Sequence, residues 1–263
     1  MRCFNLVPAL LLPALLLVAC AATPRMPIIE PPLAGAAFGN VKPEQVETLV
    51  IVVHGDTEAT PSHLAFAQRA AATLPKAAVV ALLRPGYGTG TGLASPGVRD
   101  AGNGDGYTAD NVRLLGESVA AYRKRYPRAR TILAGEDGGA ALVANLAGTR
   151  PALVDAMLLV GCPCTLPEWR ALMAKAKPGK GFNRPVASLD PLQTVGGIAT
   201  TTRSAILVGE NDRITPPRIA GTYAEALALR GIGTDFRRLP GRGHDILNDP
   251  ETLDALARLA GAS

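Results

Sequence analysis

The sequence predicts an α/β domain: a mostly parallel sheet of about six strands, helices on both faces and a short lid. Three observations carry that reading. Strand-length apolar runs alternate with helix-length segments between residues 46 and 263, the order that feeds a parallel sheet. Most of these runs are continuously apolar rather than alternating, as strands covered on both faces are. The third observation is a glycine-rich corner, Gly135-Glu136-Asp137-Gly138-Gly139, that joins an apolar run directly to a helical stretch.

The elements follow in chain order. ETLVIVV at 47–53 is the first strong strand. A helix over 61–74 opens on Pro61, a residue tolerated in a first turn because its missing N–H has no intrahelical acceptor to lose. AAVVALL at 77–83 is the next strand. Residues 85–106 lack periodicity and are dense in glycine, which reads as a long loop lining a site. The helix over 108–126 carries Val112, Leu115, Val119 and Tyr122 on one face. A strand at 130–134 runs through the glycine corner into a helix over 138–148, and a strand at 155–161 follows. Residues 162–202, with Trp169, Lys175, Lys177, Lys180 and Phe182, interrupt the alternation and read as the lid. A strand at 203–209, a helix over 216–230, a strand at 234–239 and a helix over 250–259 complete the domain.

The N-terminus reads as an address. Arg2 precedes an apolar run over residues 4–19 that is short for a membrane span. Leu17-Val18-Ala19-Cys20 resembles the bacterial lipobox, which implies a signal peptide at 1–19, cleavage before Cys20 and acylation of its thiol. Acyl chains there would hold the protein on a membrane, and Ala21 in the next position favours the periplasmic face of the outer membrane. The alternative is an ordinary secretory signal with a coincidental cysteine. Residues 20–45, rich in Pro, Ala and Gly, are expected to form a tether to the domain at 46–263.

Composition narrows the function. Apolar residues make up 48% of the chain, enough for a packed core and too many for a disordered one. The formal charge of +5 is scattered, and the basic run at 123–125 with Arg128 and Arg130 reads as a solvated helix end. Aromatics are only 4%, so stacking platforms for bases are absent and nucleic acid is not an expected partner. Cys162 and Cys164 are either bridged, which export would permit, or two thiols. With no second Cys/His pair at ligand spacing, no metal is expected, and no cofactor motif is present. The expected partners are a small-molecule substrate and, through Cys20, a membrane.

Chemistry gathers at the ends of the strands. A residue at a tight strand-to-helix corner is lifted above the sheet, and the flanking glycines remove side chains that would clash there. Asp137 holds that position. The first strong strand ends in His54-Gly55-Asp56, whose amide at Asp56 or Gly55, with that of Gly138, would form an oxyanion hole. Asp212 follows the strand at 203–209 in GENDRITPP, and His244 lies in a loop after the last strand in GRGHD. Nucleophile, acid and histidine in that order, with HGD, RPGYG at 84–88 and the glycine corner, resemble the α/β-hydrolase fold over roughly residues 45–260. The resemblance implies Asp137, His244 and Asp212 as the catalytic positions, beneath a lid. His54, Tyr87, Tyr107 and Trp169 are expected to line the substrate site, His54 by supporting the oxyanion loop.

Asp137 departs from the serine usual at this corner. On this fold an aspartate nucleophile implies attack on saturated carbon, as in epoxide hydrolases and haloalkane dehalogenases, followed by hydrolysis of an alkyl-enzyme ester with His244 as base. Dehalogenases place Trp after the nucleophile, where this chain has Gly138, and the lid has no Tyr. Ester cleavage through an acyl-enzyme is disfavoured, because a carboxylate with a pKa near ~4 leaves the tetrahedral adduct before an alkoxide does. Three functions stay open: a hydrolase of a small ester, epoxide or related substrate using Asp137, a silent binding or scaffolding lipoprotein, and an esterase whose serine has been replaced.

Overall fold

The computed structural model describes residues 30–56, 61–90 and 92–261. The signal peptide, Cys20 and the first part of the expected tether lie outside them. Seven strands alternate with helices: β1 (Gly35–Phe38), β2 (Thr48–Val53), α1 (Pro61–Thr73), β3 (Ala77–Leu82), α2 (Ala109–Arg125), β4 (Arg130–Glu136), α3 (Gly138–Thr149), β5 (Ala156–Val160), α4 (Leu166–Ala176), α5 (Pro191–Thr194), β6 (Arg203–Gly209), α6 (Pro217–Leu229), β7 (Thr234–Leu239) and α7 (Pro250–Ala260).

They form one sheet in the order β1-β3-β2-β4-β5-β6-β7. β2 to β7 are parallel, and β1 alone runs antiparallel, against β3, with Gly35 opposite Leu82 and Phe38 opposite Val79. This corrects the expectation of a plain tether up to residue 45. Gly35 to Phe38 is an edge strand, and Leu33 just before it is buried.

Period-two alternation sorts each buried strand between two layers. Leu49, Ile51, Val53, Leu133, Met157, Leu159, Ile206 and Val208 face α2, α3 and α6. Val50, Val52, Ile132, Ala134, Leu158, Val160, Ala205 and Leu207 face α1 and α7. Removing a Val, Leu, Ile or Met side chain from water is worth ~1.5–3 kcal/mol, and the two covered faces together explain why these strands are largely apolar. Thr108 caps α2, its Oγ1 accepting from the amide of Asn111 at 3.3 Å, and Asp249 caps α7 through the amide of Glu251 at 3.1 Å. The basic end of α2 is less solvated than expected: Arg123 donates to Thr131 Oγ1 at 2.8 Å and to Asp155 at 3.1 Å.

The segment expected as a lid is stitched into this frame. Asp190 Oδ1 accepts from the amides of Leu166 and Leu192 at 3.0 and 3.1 Å. The Trp169 indole donates to the Ile214 carbonyl at 2.8 Å, and its ring meets Phe182 edge to face. Ser188 Oγ accepts from the amide of Tyr107 at 3.0 Å. Leu166, Trp169 and Met173 thereby extend the core on the α3 side of the sheet. Among the described residues no helix is long and apolar enough to cross a membrane.

Candidate active site

Asp137 sits between the end of β4 and the start of α3 with φ +48° and ψ −119°. This left-handed conformation costs a non-glycine residue ~1–3 kcal/mol, so something must hold it. The amide of Asp137 donates to the Val160 carbonyl at 2.8 Å, and its carbonyl accepts from Ala140 and Ala141 at 3.0 and 3.2 Å. The glycines are steric necessities. A Cβ on Gly135 would meet the amide nitrogen of Ala140 at 2.6 Å, one on Gly139 would run into the carbonyls of Val53 and His54, and one on Gly138 would overlap the Asp56 carboxylate.

The three residues named from the motifs converge over the C-terminal edge of the sheet. His244 Nδ1 is 2.8 Å from Asp212 Oδ2, and His244 Nε2 is 3.9 Å from Asp137 Oδ2. Asp212 is itself fixed: Oδ1 accepts from the amides of Ile214 and Thr215 at 2.8 and 2.9 Å, and Oδ2 accepts from the Thr215 hydroxyl at 2.7 Å. Gly161, with φ +54°, lies under the imidazole; a Cβ there would come within 3.2 Å of His244 Cε1. Immediately after it, Cys162 and Cys164 are joined in a disulfide with their Cα atoms 5.1 Å apart, which resolves the two alternatives for this pair.

The charges follow from this geometry. Burial opposes a proton on His244, but the Asp212 hydrogen bond and the charges of Asp137 and Asp212 outweigh it and push its pKa up to about 10. At neutral pH the resting site is an imidazolium between two carboxylates. Burial also pushes Asp212 up, yet the His244 hydrogen bond and charge, with the Thr215 donors, hold it below the ordinary carboxylate range. Glu136, beside the nucleophile position, is raised to about 7 by burial and then by the charge of Asp137.

On the opposite side, the Asp56 amide donates to Asp137 Oδ2 at 3.4 Å. It is the amide expected from the HGD motif to serve an oxyanion, and here it faces the oxygen of Asp137 itself. The Asp56 side chain turns back to ion-pair with Arg84 Nη1 at 2.6 Å. Burial, then the charge of Asp137, raises the Asp56 pKa to about 7 against the pull of Arg84. Among the described residues Asp137 Oδ1 is buried and has no partner.

The residues expected to line the substrate are placed differently. His54 is buried, donating from Nδ1 to the Gly55 carbonyl at 2.8 Å and accepting at Nε2 from the Arg84 amide at 3.0 Å. Burial lowers its pKa well below the usual histidine value, so it is a neutral strut. Tyr87, buried, donates to Asp100 Oδ1 at 2.9 Å. Tyr107 is wholly buried, its hydroxyl unpartnered among the described residues. Trp169 packs behind the Asp212 loop. His54 thus braces the oxyanion loop, as expected, whereas Tyr87, Tyr107 and Trp169 are buried rather than facing an open site. Sequence reasoning missed Arg84 and Asp100 as part of the site. Arg84 was visible only as the first letter of a turn motif, and no local signal ties Asp100 to it. Among the described residues no three His, Cys, Asp or Glu side chains are grouped as a metal would require.

No protein-family model and no curated protein matches the chain. Solved structures do resemble it. An esterase designated PE8 superposes with a TM-score of 0.61 at 18% identity, over 88% of this chain and 97% of that one. A monoacylglycerol lipase from Paleococcus ferrophilus gives 0.57 at 19% identity over 88% and 99%. A proline iminopeptidase from Mycobacterium smegmatis gives 0.61 at 15% identity over 86% and 93%. The chain has the α/β-hydrolase fold, with an aspartate at the strand-to-helix corner.

Proposed function

We propose that the protein is a hydrolase that opens small substrates at saturated carbon through the carboxylate of Asp137. One observation carries this: His244 lies between two carboxylates, Asp212 on Nδ1 and Asp137 on Nε2. A serine enzyme needs a neutral imidazole at rest, to take the hydroxyl proton. An imidazolium that becomes basic only after the nucleophile loses its charge suits an aspartate enzyme instead. The names of the structural neighbours, an esterase, a lipase and a peptidase, support hydrolysis; the identity of residue 137 argues for carbon over carbonyl as the point of first attack.

The steps balance as follows. Asp137 Oδ1, which has no hydrogen-bond partner among the described residues, forms a bond to the substrate carbon and leaves Oδ2 as the ester carbonyl oxygen, and the bond from that carbon to its leaving atom breaks, the electron pair departing with the leaving atom. Asp137 is then a neutral ester, so His244 loses one of its two carboxylate partners and releases its proton to the leaving atom or to water. Neutral His244, oriented by Asp212, takes a proton from a water that adds to the ester carbonyl of Asp137. The oxyanion so formed is on Asp137 itself, where the Asp56 amide points. Collapse expels the product alkoxide, which takes the proton back from His244; Asp137, now carrying one oxygen from water, passes its remaining proton to His244, and the carboxylate and imidazolium of the resting site are restored.

His244→Gln tests the reading, because it removes the base that the second step needs while the carboxylate of Asp137 is still present to form the ester. Incubated with styrene oxide or bromohexane, it should accumulate protein one adduct heavier, with the adduct on Asp137 by peptide mass. A His244→Gln protein that stays unmodified while the wild type turns over would refute it. We propose further that acylation of Cys20 anchors the enzyme at the periplasmic face of the outer membrane; Cys20→Ala should then move it from the membrane to the soluble fraction, and unchanged membrane association would contradict the anchor.

A further inference from the structure

We infer that Arg84 is a positioning residue for the second step of this reaction, acting through the backbone of His54 to Asp56. Its guanidinium is almost wholly buried, 1% exposed, and is spent on that segment. Nη1 donates to the Gly55 carbonyl at 2.8 Å and to Asp56 Oδ1 at 2.6 Å. Nη2 donates to Asp100, which Tyr87 also holds. The Arg84 amide donates to His54 Nε2, and His54 Nδ1 donates to the same Gly55 carbonyl. One arginine thus grips the segment by a ring nitrogen, a carbonyl and a carboxylate. The one amide of that segment aimed at the nucleophile is that of Asp56, 3.4 Å from Asp137 Oδ2.

The inference rests on the reading of Asp137 as nucleophile, and it makes a prediction that a purely structural arginine would not. When Asp137 attacks carbon, its oxygens lose negative charge, so a donor aimed at Oδ2 gives no help. When water attacks the resulting ester, negative charge builds on that oxygen, and the donor counts most. Misplacing it should slow ester hydrolysis and spare ester formation. Lysine keeps the charge but cannot fork to a carbonyl and two carboxylates at once.

The experiment follows the alkyl-enzyme by intact mass in single turnovers of styrene oxide and of bromohexane. In Arg84→Lys, ester decay should fall about 100-fold, the cost of misplacing an oxyanion donor by about 1 Å and the low end of losing one, with ester formation within about 3-fold of wild type, so that the ester accumulates. Asp100→Asn, which loosens the guanidinium while leaving the Asp56 bridge, provides the second variant should the lysine protein not fold; it should shift the same ratio in the same direction by about 3-fold or more. An unchanged ratio, or both steps slowed alike at an unchanged melting temperature, overturns the role of Arg84 alone. An ester absent even from His244→Gln overturns the nucleophile reading and this inference with it.

Discussion

Neutralising Asp137 should release His244 from its charged state. Two unit charges at the 3.9 Å separating His244 Nε2 from Asp137 Oδ2 interact by about 4 kcal/mol at an effective dielectric near ~20. At 1.36 kcal/mol per pKa unit this is about three units. Asp137→Asn should therefore bring the His244 pKa from about 10 to about 7, the Asp212 bond remaining. The assay is a pH titration of the histidine ring by nitrogen-15 NMR, the other two described histidines, His54 and His63, being buried and hydrogen-bonded to backbone carbonyls. Stability gives a second readout. A histidine whose folded pKa is raised stabilises fully below its unfolded pKa near ~6.5, and that stabilisation is lost as pH climbs to the folded value. The wild type should therefore lose melting temperature between about pH 6.5 and 10, and Asp137→Asn should show little of that slope above about pH 7. A wild-type His244 titrating near 6.5, or one unmoved by Asp137→Asn, would refute the dicarboxylate account.

Other outcomes follow from the same geometry. Gly138→Ala drives a Cβ into the Asp56 carboxylate and within 2.8 Å of Arg84 Nη1; it should cost about 1–3 kcal/mol in denaturant unfolding and abolish turnover, and wild-type stability would contradict the packing. Glu136, its pKa raised to about 7 by burial and Asp137, penalises the fold as it ionises, so wild-type stability should fall from about pH 4.5 to 7 relative to Glu136→Gln; parallel melting curves would contradict this. Opening the Cys162–Cys164 bridge with a paired serine variant should cost about 1–2 kcal/mol, the loop being short, and should lower the affinity of His244 for its proton by loosening Gly161 beneath it. A His244 titration identical to wild type in that variant would detach the bridge from the site.

Six strands and five helices were legible because their residues obey one local rule each. Residues 49–53, 77–82 and 156–160 are apolar on both faces since both faces are covered, and α2 shows its buried stripe directly. β1 was not legible. GAAF is short and follows a proline-rich stretch, and it is a strand only because β3 offers it an antiparallel edge. α4 was hidden inside the presumed lid, since its face is set by the Asp212 loop and the glycine-rich loop, both distant in sequence. At the site, Asp137, Asp212 and His244 could be named from motifs because each follows a strand in a fixed order. Tyr87, Tyr107 and Trp169 were misplaced because an aromatic in a glycine-rich loop or a lid looks exposed until its hydrogen-bond partners are known. The Arg84–Asp56–Asp100 cluster was invisible for a related reason: long-range ion pairs leave no periodicity.

The most direct test of Asp137 as nucleophile is a single turnover of styrene oxide in water enriched in oxygen-18, with excess enzyme, followed by mass analysis of the peptide spanning the glycine corner. The account predicts that the peptide gains one heavy oxygen, located on Asp137, and that the first product molecule carries none. Heavy oxygen found in the first product, with an unlabelled Asp137, would mean that water attacks the substrate directly and would contradict the account.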